Sequence, residues 1–453
     1  MRTRNGAWSG LRRASQHTAS LLAAAFFLLV CANSLSEVHS SAGVDYYQFW
    51  TSSRFAADSE NAGLYSGDAA RAAGFRGLEQ ARRLAKTSRM RRAAEWNHEI
   101  NPNLLDPIST PAFYMAIGLA TTGDYDRDYW LIQSFSSLAF AVALLGLCRL
   151  LRFAWPSALL TAAAVMLLFA PFHADVEAAN VNRLQFAALG LAAWLLHEAT
   201  PRRVFLAGFV LAATSLFKPN LVVVPAALAI LWVLDRRKTD LRFGALGLFV
   251  GGTLTVVSSM LFLGSLTVWL DWLEIARRVL ATPYPIEHLN VSLATLLRSL
   301  WGVDLSRPLG LALLASFVAC AWVGSRGVGA SDEPSRARFQ RDLLAISAGC
   351  VLPLIAAQIA WDHYFLLAAL PIVVGLRPDP DLDPTRTSVD RRKGLALLAF
   401  LLIAQSPVTL FIPFRNAQQV AALLALGAAT LWGLILWELT RRRPAPSSAR
   451  ARE

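Results

Sequence analysis

Charge is scarce in this chain. Asp, Glu, Lys and Arg make up only 16% of its 453 residues, whereas 55% are hydrophobic. A soluble domain of this length needs more polar surface than that to cover its core, so a large water-soluble enzyme is excluded. Cysteine is also nearly absent. The four present, Cys31, Cys148, Cys320 and Cys350, all fall inside apolar runs without metal-ligand spacing. That excludes both a disulfide framework and a zinc site, and no cofactor or metal is expected. There is no internal repeat at a solenoid period and no soluble catalytic domain.

What the chain does have is apolar runs long enough for a hydrocarbon layer of roughly 30 Å. Twelve spans are expected, near 18–38, 129–149, 157–172, 183–198, 204–217, 219–234, 243–266, 307–324, 342–358, 363–376, 394–411 and 417–438. The expectation is an all-α polytopic membrane protein. Arg2, Arg4, Arg12 and Arg13 precede the first run, and no small-x-small cleavage site follows, so the N-terminus reads as an uncleaved signal anchor.

The net charge of +12 would suggest nucleic acid only until the basic residues are located. With residues 1–17 in the cytoplasm and sides alternating, the inner segments hold 26 of the 43 Lys and Arg residues. Basic residues near span ends fix orientation, so the charge is an orientation signal and no nucleic-acid partner is expected. Both termini, including the basic tail 439–453, are expected inside a cell membrane. The transmembrane domain would run over 18–438.

Residues 39–128 then form a long outer loop region. Its stretch 107–123 is apolar, but counting it as a span would turn the basic "CRLLRF" segment outward. A surface or re-entrant helix over 109–122 is expected instead, with Pro111 near its start and Tyr114 as an interfacial anchor. The run "ARRLAKTSRMRR" (81–92) reads as a solvated helix face or as an amphipathic helix on anionic headgroups.

On this topology the out-of-place polar residues gather on the outer side: Asp45, His98, "HADVEAANVNRLQ" (173–185), Lys218, "EHLNVS" (287–292), "WDH" (361–363) and "FRN" (414–416). Polar groups at membrane depth are costly unless they face a wet cavity or a partner, so their convergence points to an outward-facing site. Singly, each has a plainer reading: Trp361 and His363 as belt residues, Lys218 as a snorkelling lysine, Asn180 or Asn182 as helix caps.

By chemistry, Arg183, Lys218 and His363 make a cradle for a lipid-linked phosphate, Arg183 lying at a helix N-terminus that already favours an anion. Asp45 is the acid with aromatic neighbours, Tyr46, Tyr47, Phe49 and Trp50, which suit an apolar wall or stacking on a sugar ring. A glycosidase usually needs two carboxylates because its leaving alcohol must be protonated. Transfer from a sugar phosphate needs only a base, since the departing phosphate is already a stable anion. Three other motifs are set aside. "DYD" (124–126) lies outside, where nucleotide sugars are scarce. "DPDLDPTRTSVD" (379–390) has Pro384 where a calcium loop needs Gly. "NVS" (290–292) is a bare glycosylation match.

"GVDYYQFW", "GLY" (63–65), "NVN" (180–182), "LFKPN" (216–220), "NVSL" (290–293) and "WDHY" (361–364) stand in the order that resembles glycosyltransferase family 87 across roughly 40–375. The resemblance implies the GT-C fold and an inverting transferase at the extracytoplasmic face. It also implies a polyprenyl-phosphate-linked donor of mannose, arabinofuranose or a related sugar, and a lipid or glycan acceptor of the cell envelope. Asp45 resembles the family's catalytic Asp, and Lys218 and His363 its Lys-Pro and Trp-x-His positions. Tyr46, Tyr47, Trp50, Asn180, Asn182, Asn290 and Trp361 are expected to line the substrate site. The chain departs from the family at Ala179-Asn180-Val181-Asn182, where Gly-Gln-x-Asn is favoured, and around Asn101 to Pro111. The competing expectation is a transporter or flippase, for which no half-repeat is visible. A glycan polymerase or ligase is a third.

Overall fold

The computed structural model describes residues 4–57, 63–100, 105, 107–281, 286, 290–326, 335–378, 390–405 and 416–441. Among these the chain is almost wholly helical. Its α-helices in order are α1 (Arg4–Ser40), α2 (Val44–Ala57), α3 (Gly67–Arg82), α4 (Arg89–Ile100), α5 (Pro111–Ala120), α6 (Tyr125–Leu150), α7 (Trp155–Leu168), α8 (Ala170–Ala178), α9 (Asn182–His197) and α10 (Pro201–Phe217). They continue with α11 (Val223–Leu234), α12 (Lys238–Phe262), α13 (Val268–Ala281), α14 (Leu293–Trp301), α15 (Ser306–Ser325), α16 (Ser335–Ala356), α17 (Ala369–Leu376), α18 (Arg391–Ala404) and α19 (Ala417–Thr440). Two tight 3-10 segments, Pro219–Leu221 and Asp362–Ala368, interrupt the succession.

Six described helices are long and apolar enough to cross a bilayer: Gln16–Ser40 within α1, then α6, α12, α15, α16 and α19. Their outward faces carry bare hydrocarbon, with Leu21, Val142, Phe249 and Leu261 each more than 70% exposed. Water would not tolerate so much contiguous apolar surface, and lipid would. The other expected spans fall on shorter helices, so the six long helices establish a membrane-embedded all-α protein rather than a count of twelve. The span expected at 394–411 runs beyond α18 into residues outside the described ones.

Packing is close because small residues line the crossings, as in membrane bundles generally. Gly251 of α12 lies so near Phe209 of α10 that an added Cβ would meet its carbonyl oxygen at 2.8 Å. Gly349 lets α16 approach Val224 of α11 in the same way. At the end away from Asp45, Arg237 grips Asp342 with two nitrogens at 2.6 and 2.9 Å while its Nε reaches Asp240 at 2.7 Å.

The segment between α1 and α6 is folded into four helices rather than left as loop. Helix α5 begins with Pro111 at its first turn, capped by the Thr110 hydroxyl on Phe113 N–H. Ten residues rise about 15 Å, too little to cross a bilayer. Tyr114, expected as an interfacial anchor, is instead buried against Phe113 and Tyr65. The run 81–92 is not one amphipathic helix, because it breaks between α3 and α4. Arg89 then turns inward, donating to the carbonyls of Ser41 at 3.1 Å and His39 at 2.5 Å and lying over the Tyr129 ring. That arginine ties the start of α4 to the end of α1 and to the short link into α2, which carries Asp45. Asp124 of "DYD" is the N-cap of α6, accepting from Arg127 N–H.

Candidate active site

The site is built on breaks in three helical segments. Helix α8 ends on Ala179 in the left-handed region (φ 55°), and the chain turns through Asn180 and Val181 into α9 at Asn182. Asp175, one turn back on α8, closes this corner. Its carbonyl accepts Asn180 N–H at 3.0 Å, and its Oδ1 accepts Asn182 N–H at 3.3 Å and Nδ2 at 2.8 Å. Its Oδ2 accepts Arg183 Nε at 2.7 Å. Helix α10 stops at Lys218 because Pro219 follows, leaving the lysine extended (φ −146°) at the start of a 3-10 turn. The third break is at Trp361, from which the Asp362–Ala368 segment runs into α17.

These breaks bring five polar side chains together across the fold, those of Asp45, Asn180, Asn182, Lys218 and His363. Asn180 Nδ2 donates to Asp45 Oδ2 at 2.6 Å and lies 3.2 Å from His363 Nε2. Asn180 Oδ1 accepts from Lys218 Nζ at 2.8 Å and from Val181 N–H at 2.7 Å. Asn182 Oδ1 takes a second Lys218 N–H at 2.8 Å. The ammonium fixes the amide orientation, since a flipped Asn180 would turn its NH₂ against a cation. With both Asn180 N–H groups donating, His363 Nε2 is the acceptor, so its proton sits on Nδ1 facing Asp362 Oδ1 at 3.4 Å. His363 stacks nearly parallel on Trp361.

Asp45 is half-buried, and its Oδ1 takes no hydrogen bond from the described residues. One carboxylate oxygen is therefore held and the other left for a proton. Lys218 Nζ sits 4.2 Å from the centroid of the Tyr364 ring, with two of its three N–H groups spent on asparagines. Desolvation pulls this lysine down to about 8, against the opposing fields of Asp175 and Asp45. It stays mostly charged at neutral pH and would gain from an anion replacing the lost water.

Of the residues singled out from the sequence, the fold gathers Asp45, Asn180, Asn182, Lys218, His363 and Trp361. Arg183 is close by but turns away from the Asp45–Lys218 cluster. It is fully buried, bonded to Asp175, to Ser137 Oγ at 2.6 Å, and to Gln133. As the floor of the corner, it is corrected from phosphate ligand to structural cation. Tyr46, Tyr47 and Trp50 are corrected too. Successive residues of α2 point about 100° apart, so with Asp45 on the site these three turn into the core. Tyr46 packs on Tyr125 and Tyr129, and Trp50 donates to Asp128 at 3.0 Å. Asn290 spends its amide on Gln358 O and Ala360 N–H, both at 2.8 Å, and bridges to Trp361, so it braces the Trp361 segment from behind. Arg415 and most of the 379–390 loop lie outside the described residues; Asp390 caps α18.

Asp175 and Tyr364 were missed. A partial signal for Asp175 existed: Arg183 starts an apolar helix and needs a counter-charge, and Asp175 is one of two acids, with Glu177, just before the helix break. Tyr364 gave no such signal. Among the described residues no three His, Cys, Asp or Glu side chains group to hold a metal. Compared with known proteins, the chain matches no family model, no curated protein and no solved structure.

Proposed function

We propose that this protein is an integral membrane glycosyltransferase that moves a hexose or pentose from a polyprenyl-phosphate donor to a lipid or glycan acceptor outside the cell membrane. The single observation behind this reading is the Asp45–Asn180–Lys218 relay, which holds a carboxylate and an ammonium two hydrogen bonds apart. It is proposed with twelve spans and both termini inside, the shorter helices completing the bundle.

Asp45 Oδ1 takes the proton from the acceptor hydroxyl. The acceptor oxygen then bonds to the anomeric carbon from the face opposite the phosphate, the bond from that carbon to the phosphate oxygen breaks, and polyprenyl phosphate leaves as an anion. The configuration inverts. Lys218 receives the donor phosphate with its third N–H, and Asn180 keeps the base and the cation at fixed separation. Fixed separation matters because catalysis here rests on positioning and on charge already in place. His363 and Trp361 form the wall beside the donor. The resemblance to family 87 in motif order supports the same reading.

One feature also favours the transporter alternative: helices broken at Ala179, Lys218 and Trp361 around a polar cluster are a transporter device as well. Purified protein in vesicles separates the two. Given a polyprenyl-phosphate sugar and an envelope lipid extract, mass spectrometry should show a product heavier by one sugar with free polyprenyl phosphate. Solute uptake with no covalent product would contradict the transferase.

A further inference from the structure

Helix α8, which carries Asp175 and runs into Asn180, is clasped to the end of α1 at two points. The Ser41 hydroxyl, just past α1, donates to the Glu177 carbonyl at 2.7 Å. One turn earlier on α8, His173 Nδ1 lies 3.0 Å from Glu37 Oε2 of α1, and its Nε2 lies 3.1 Å from the Leu167 carbonyl oxygen of α7. Asn33 donates to the other Glu37 oxygen at 2.9 Å.

Both nitrogens of this imidazole therefore face oxygen. A carbonyl has no proton to give, so Nε2 carries one. A neutral ring would then turn the bare lone pair of Nδ1 on a carboxylate 3.0 Å away, which is repulsive. The contact is attractive only with a second proton between Nδ1 and Glu37. The hydrogen bond to Glu37 raises His173 above the ordinary histidine value; desolvation opposes the rise, and the Glu37 charge and the Leu167 carbonyl add to it.

The other charged groups around α8 are engaged elsewhere or exposed. On α8 itself Asp175 is tied to Arg183 of α9, and Glu177 is exposed, as is His39 of α1. Helix α7 has no titratable side chain. Asp45 of α2 and His363 meet at Asn180, Asp362 faces His363, and Tyr364 lies against Lys218. Helix α18 reaches this corner with Phe400 and Gln405 on Phe169, its basic residues lying in its first turn.

We propose that the His173–Glu37 pair is a proton-dependent latch on α8, closed while the shared proton is present and released when it is lost. Because the folded pair holds that proton more tightly than the unfolded chain does, the latch is at full strength below the free histidine value of about 6.5. It fails as pH rises through the higher folded value. The latch holds the helix that leads into Asn180 and Asn182, so alkaline pH loosens that corner. The inference is independent of the transferase reading, because neither Asp45 nor Lys218 belongs to the latch.

The test is hydrogen–deuterium exchange of the full-length protein in detergent, read on α8 at about pH 6 and about pH 9 and corrected for the intrinsic pH dependence of exchange. Wild-type protection of α8 should fall by roughly threefold or more between the two. Lys218, pulled down to about 8, titrates in the same window, so two variants assign the change. His173→Phe keeps a ring and loses both nitrogens, and α8 should be loosened alike at both pH values. Glu37→Gln offers an amide N–H to the bare Nδ1, so a neutral imidazole closes the latch and α8 should stay protected at both. Equal protection of wild-type α8 at the two pH values, or an undiminished wild-type response in either variant, overturns the proposal.

Discussion

Asp45→Asn should cut sugar transfer by roughly 10²- to 10⁴-fold, the usual worth of a positioned general base. The protein should meanwhile stay folded and inserted. The reason lies in how the two carboxylate oxygens are used. Oδ2 accepts from Asn180, a role that the amide oxygen of an introduced asparagine keeps, so the Asn180–Lys218 half of the relay survives. Oδ1 is the atom left for the acceptor proton, and the substitution places an NH₂ there. A purified-enzyme assay beside a melting curve reads both effects. Activity within about threefold of wild type would remove Asp45 as the base, since that is far below what general base catalysis contributes.

Asp175→Ala should be the most destabilising change in the site. It leaves the guanidinium of Arg183 buried with no counter-ion and removes the nearer of the two acceptors of Asn182 Nδ2. Breaking one side of a buried pair costs about 3–5 kcal/mol, a large share of the 5–15 kcal/mol that holds a typical domain together. The sharper test is the pair. Asp175→Ala with Arg183→Met removes the stranded charge as well, and the double variant should recover much of the lost thermal stability. If Asp175→Ala melts like wild type, the Asp175–Arg183 pair is not the floor described here. Transfer should remain impaired even in a recovered double variant, because Asn182 has lost its two bonds to Asp175 and, as a donor, keeps only the longer one to the His363 carbonyl.

Much of this was legible in the chain itself. Low charge and long apolar runs give a membrane bundle, and Pro111 and Pro219 mark a helix start and a helix stop where the structure has them. The expected sidedness put Asp45, Lys218, His363 and the two asparagines at one end of the bundle, and the structure brings them into contact there. What sidedness cannot give is direction around a helix axis. Tyr46, Tyr47 and Trp50 lie within two turns of Asp45, yet the packing of α2 on α6 decides which of them joins the cluster. Arg183 shows the same limit. Adjacent in sequence to a site residue, it points the other way, toward Gln133 and Ser137 on α6. Contacts between short helices were equally hidden: neither the Arg89 clasp on α1 nor the Asn290 brace behind Trp361 has a local sequence pattern.

The most direct measurement is a cryo-EM map of the protein with a non-transferable phosphonate analogue of the lipid-linked donor. The phosphonate should contact Lys218 Nζ, with its sugar between Asp45 Oδ1 and the Trp361–His363 wall. Density for that phosphonate away from Lys218, with the Asn180 bonds to Asp45 and Lys218 unchanged, would contradict the account.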